Sequence, residues 1–221
     1  MEEEVHPKKE YPPYELVNSG KEAAIYSRPG TGVVHKFWRQ GWILANYPMF
    51  DSKGRLFKQA AKRAAEEFQS QTHDAELRQK KDHVHRGIPI EQFSKITFIL
   101  SKVSEDIINR ARRAGILAPT IARAINHPFK PLYVLELSDL SKEGHKIISG
   151  NELKAEHSRN PIRNFKEIME AIEKDKAKLG QLGYKEDIEN HPINSAWLIR
   201  INEKTREAER FLWDATNLRR K

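Results

Sequence analysis

Asp214, in the stretch Phe-Leu-Trp-Asp214, and Asn194, in Pro-Ile-Asn194, offer a carboxylate and an amide oxygen, the hard donors that suit Mg²⁺. Lys36 sits in Val-Val-His-Lys36-Phe-Trp, an apolar run where a buried ammonium needs an anionic partner. Ser19, Gly20, Lys21 and Glu22 read as a turn between two strands, whose backbone N–H groups could cradle phosphates. In this order the three groups are the parts of an ATP site: a phosphate turn, a lysine that reaches the same phosphates, and an oxygen pair for the metal. Each has a blander reading. A glycine between two strands is ordinarily a turn and nothing more, a strand lysine ordinarily points to water, and the loop Asp187-Ile-Glu-Asn-His-Pro-Ile-Asn194 is equally a capped turn. His191 in that loop has no second His or Cys at ligand spacing and reads as structural.

The elements that must position these groups follow from the pattern of apolar residues. Strands are expected at 14–17, 23–27 and 33–38, the last two joined by the turn signal Arg-Pro-Gly-Thr-Gly. Alternation puts Val34 and Lys36 on one face of the third strand and Val33, His35 and Phe37 on the other. A polar helical insertion is expected over 41–90. A helix follows from Gln92 to Ala114, with Phe93, Ile96, Leu100, Val103, Ile107 and Ile108 at helical spacing. Strands are expected at 120–124 and 132–137, then a polar linker over 138–160. Pro161 opens an amphipathic helix that ends near Gly183, and apolar strands at 196–201 and 211–213 lead into Asp214.

Composition bounds the partners. The 221 residues carry a net charge of +8, which attracts polyanions, nucleic acid among them. Lys58, Lys62, Arg63, Arg78, Lys80 and Lys81 on the insertion would serve such binding, diluted by Glu66, Glu67 and Glu76. Cysteine is absent, which excludes disulfides and thiolate chemistry. No apolar run approaches the roughly 18 residues needed to span a bilayer. The N-terminus carries three early glutamates instead of a basic region and apolar core, so a cytoplasmic protein is expected, with an effector injected into a host cell equally compatible.

The motif Asn-Ser-Gly20-Lys-Glu-Ala-Ala-Ile-Tyr26 resembles the phosphate loop of the RIO family of atypical protein kinases. Val-Val-His-Lys36-Phe resembles that family's ATP-lysine strand, and Arg-Ala-Gly-Ile-Leu-Ala-Pro119 its link from the glutamate helix to the next strand. Tyr-Val-Leu-Glu136-Leu is similar to its hinge strand, and Asp214 stands where its metal-binding aspartate would. The likeness runs from Tyr14 to about Leu218.

The resemblance implies an α+β, bilobal protein-kinase-like fold. A flexible tail (1–12) would precede a small antiparallel-sheet N-lobe (13–138, insertion 41–90) and a reduced, mostly helical C-lobe (139–221). It implies ATP and Mg²⁺ as ligands and a protein Ser/Thr hydroxyl as acceptor. Residues 19–22 would hold phosphates, Glu105 on the long helix would hold Lys36, and the backbone at Glu136 would meet the adenine edge. Asn194 and Asp214 would bind metal, and either Glu189 or Asp187 would orient the acceptor hydroxyl, depending on the length of the loop. The chain departs from the family by placing Glu189 where the catalytic aspartate belongs and by ending seven residues after Asp214. Two alternatives stay open: a pseudokinase that binds nucleotide and acts as an interaction module, and a basic nucleic-acid-binding protein.

Overall fold

The computed structural model describes residues 14–19, 23–39, 90–127, 132–186 and 195–220, which form an α+β molecule of antiparallel sheets and a few helices. The first half is built from β1 (Glu15–Ser19), β2 (Ala23–Arg28), β3 (Val33–Trp38), α1 (Ile90–Arg113), β4 (Ala122–Asn126) and β5 (Tyr133–Ser138). Its five strands pair antiparallel in the order β1-β2-β3-β5-β4. The β2–β3 turn forms because Gly30 and Gly32 take φ of 74° and 65°, which residues with a Cβ rarely adopt. That turn fixes the register Ile25↔Lys36, and β5 continues it with Lys36↔Leu135.

Strand periodicity then sorts the side chains. Val34, Leu135 and Leu137 bury against Ile107, Ile108 and Ala111 of α1. On the same face Trp38 Nε1 donates to Ser101 Oγ of α1 at 3.1 Å. The helix stops where Gly115, at φ 72°, lets Ile116 N return to Ala111 O at 3.0 Å. The expected strand at 120–124 lies two residues later, at Ala122–Asn126. The expected insertion lies outside the described residues up to Ile90, where α1 begins.

The second half differs from the expectation of a mostly helical lobe. It contains β6 (His145–Ser149), α2 (Leu153–Arg159), α3 (Phe165–Gln181), β7 (Tyr184–Glu186), β8 (Trp197–Asn202), β9 (Ala208–Leu212) and β10 (Leu218–Arg220). One sheet runs β6-β8-β9 and a second pairs β10 with β7. The segment expected as a polar linker therefore carries β6 and α2. Its polarity hid it, because the residues α2 buries are Leu153 and Glu156. The Glu156 carboxylate is satisfied inside the fold by Lys146 Nζ at 2.8 Å and Arg206 at 2.9 Å. Those contacts hold its pKa down at about 2. One hydrophobic cluster joins both halves, with Val34, Ile108 and Leu137 in the same core as Trp197, Ile199 and Leu212.

Candidate functional site

Lys36 points to the inner face of β3 and is only 4% exposed. Its Nζ lies 2.8 Å from Asp214 Oδ1 and 4.4 Å from the centre of the Trp38 ring. The ion pair brings together two residues 178 positions apart. Asp214 reaches this place through the β8–β9 hairpin, in which Trp197 faces Leu212. Past the hairpin, Trp213 N and Asp214 N both donate to Ala196 O, at 2.9 and 3.0 Å. The chain two residues beyond Asn194 is thereby fixed to the Asp214 turn. Gly150 backs the entry to β8 so closely that a Cβ there would stand 2.5 Å from Ser195 Oγ.

The Asp214 carboxylate is asymmetric. Oδ1 accepts from Lys36, from Thr216 N at 3.2 Å and from Thr216 Oγ1, capping the 3₁₀ turn Ala215–Asn217. Oδ2 accepts no hydrogen bond among the described residues. Burial acts to raise the Asp214 pKa, but the Lys36 ammonium and the Thr216 donors outweigh it, so the carboxyl lies below its usual 3.8 and is ionised. An anion fixed through Oδ1, with no hydrogen bond to Oδ2 among the described residues, could serve as one of the one or two carboxylates that Mg²⁺ takes before it completes its shell from phosphates and water.

Glu105 is not at this site. Its Oε2 accepts from Lys102 Nζ and from Ala124 N, both at 2.8 Å, so it ties α1 to β4. On the Lys36 face α1 presents Ser101, whose hydroxyl accepts from Trp38, beside the apolar Ile107, Ile108 and Ala111. Glu136 also departs from its expected place. It is mid-strand, paired across both β3 and β4 as His35↔Glu136↔Arg123, so its backbone presents no free edge. Its side chain is buried on the face opposite Lys36. Ser19 ends β1 and accepts from the Arg39 guanidinium. Gly20, Lys21, Glu22, Asp187, Glu189 and Asn194 lie outside the described residues.

Sequence reasoning missed the direct contact between Lys36 and Asp214. The signal available was two isolated charges, each flanked by apolar strand residues, with no local partner for either. It also missed Thr216, whose position two residues after an aspartate is that of a side-chain cap. The described residues hold no cluster of three or more His, Cys, Asp or Glu able to take a metal by themselves. Among them no helix is long and apolar enough to cross a membrane. Comparison with known protein families, characterised proteins and solved structures finds no match.

Proposed function

We propose that the chain binds ATP with Mg²⁺ and transfers the γ-phosphoryl group to a protein hydroxyl, as a minimal relative of the RIO kinases. The observation that carries this reading is the contact between Lys36 and Asp214. Protein kinases keep the phosphate lysine on their third strand and hold Mg²⁺ on an aspartate from the far side of the cleft. Here the lysine is on β3 and the aspartate follows a hairpin of the second half. On nucleotide binding Lys36 would turn its ammonium from Asp214 to phosphate oxygens, and Asp214 Oδ2 would hold the metal, with Asn194 as the second oxygen donor. The metal supplies neutralisation of charge on the transferring group. Glu189 or Asp187 would accept the hydroxyl proton.

A second reading, nucleotide binding without turnover, is favoured by one observation. Active protein kinases hold the lysine with a helix glutamate, whereas α1 offers Ser101 on that face and directs Glu105 elsewhere. Incubation with labelled ATP and Mg²⁺ separates the two. Binding with label transferred to protein supports the kinase, binding without transfer supports the second reading, and no binding removes both.

A further inference from the structure

The sheet buries a second polar group on the face opposite Lys36, and nothing in the nucleotide reading uses it. Tyr14 Oη lies 3.0 Å from His35 Nδ1, His35 Nε2 lies 2.9 Å from Glu136 Oε2, and Arg123 Nε donates to Glu136 Oε1 at 2.6 Å. A carboxylate only accepts, so Nε2 carries the ring proton. Burial lowers the His35 pKa, more than the Glu136 contact raises it, which leaves the ring neutral. Nδ1 is then an acceptor, and the Tyr14 hydroxyl donates to it.

β1 depends on such ties. All five of its residues are exposed, with Leu16 at 58% and Val17 at 49%. Its ladder with β2 is interrupted between Leu16 and Asn18. A bulged edge strand with no buried side chain keeps little besides its backbone bonds. Side chains of the chain through β3 hold it at both ends: His35 takes Tyr14, just before β1, and Arg39, just after β3, takes Ser19. The same strand carries Lys36.

We propose that Tyr14, acting through His35, is a positioning residue that holds the start of β1 on the sheet, so that the strand, tied at its Ser19 end by Arg39, stays in place beside the β2–β3 hairpin that carries Lys36 for the phosphates of a bound nucleotide. The role rests on the ATP reading above, and the tether itself does not. The test uses the full chain with Tyr14→Phe, which keeps the ring and removes the donor. Tyr26→Phe is the control, a ring on the same face that packs on Tyr14 and whose hydroxyl makes no hydrogen bond among the described residues. Hydrogen exchange and MgATP titration are read on both.

Tyr14→Phe is expected to speed exchange in 15–19 about fivefold, the scale of one hydrogen bond, with α1 and β6–β9 unchanged. MgATP affinity should weaken by a similar factor, turnover at saturating nucleotide should stay within twofold, and Tyr26→Phe should do neither. Unchanged exchange in β1, or exchange that rises everywhere alike, overturns the tether. Faster β1 exchange with unaltered MgATP affinity overturns the positioning role. A wild-type chain that binds no MgATP overturns that role together with the ATP reading, and the exchange pattern then decides the tether separately.

Discussion

Replacing Asp214 by Asn isolates the charge at the centre of the site, because Asn keeps the shape and can still accept from Thr216. At 2.8 Å the ion pair with Lys36 has a gross Coulomb energy of about 6 kcal/mol for an effective dielectric of about 20. Most of that is offset by the desolvation of both ions. Breaking a buried pair typically costs about 3–5 kcal/mol. The Asp214 side chain is 23% exposed and an amide oxygen still accepts from Lys36, so a loss of about 2–3 kcal/mol is expected. For a chain of this size that lowers the melting temperature by about 5–10 °C. Calorimetric titration should then give opposite effects on two ligands. MgATP should bind at least about tenfold more weakly, since the metal loses its anionic ligand. Metal-free ATP should bind more tightly than to the wild type, since an amide oxygen holds Lys36 less strongly than a carboxylate and the phosphates no longer face an anion. A melting temperature unchanged within 1–2 °C of about the wild-type value, or equal losses for both forms of ATP, would refute the argument that Lys36 and Asp214 form one electrostatic unit.

Glu156→Gln should lower the melting temperature by about 4–8 °C, the equivalent of about 2 kcal/mol, because Lys146 and Arg206 lose a shared buried anion. With its pKa held at about 2 in the fold against 4.5 for a free group, Glu156 stabilises fully above pH 4.5 and loses that contribution as pH falls toward 2. Acid titration of the variant should therefore be flatter than wild type across that window. Glu105→Gln should leave MgATP affinity within about twofold, since Glu105 serves Ala124 N and not Lys36. A tenfold loss would restore it to the site. Burial lowers the His35 pKa below 6.5, so the unfolded chain takes up the proton first and stability falls as pH drops below 6.5. Denaturant titrations of His35→Gln at pH 7.5 and pH 5.5 should show a smaller difference between the two conditions than wild type does.

The elements that could be read in advance are those whose apolar period survives alone. β3 and α1 declare themselves because Val33, Val34 and Trp38, and Ile96, Leu100, Ile107 and Ile108, are buried wherever the rest of the chain goes. β6 and α2 could not be read, since β6 buries a single Ile148 and α2 buries a glutamate whose partners come from β6 and from a turn before β9. The placement of Lys36 on the inner face followed from alternation, but its partner did not. Several carboxylates compete for one lysine in sequence, and which of them arrives is a property of the hairpin that carries Asp214. Glu136 illustrates the same limit. An acid in an apolar strand looks like a strand end until His35 and Arg123, from two other strands, are seen to neutralise it in place.

The shared core has a consequence for how the protein can come apart. Leu212 N donates to Leu117 O, and Ile108, Ala118 and Leu137 lie in one cluster with Trp197, Leu212 and Trp213. Neither half thus closes its own apolar interior. A fragment cut after Ser138 would leave α1 and the five-stranded sheet with a bare seam, the hallmark of an insoluble polypeptide. On the ribosome, the sheet that carries Lys36 must wait for β8 and β9 to emerge before its interior is sealed. That makes the segment bearing Asp214 a late partner in folding, and truncations that remove it would expose the seam and be cleared by proteolysis.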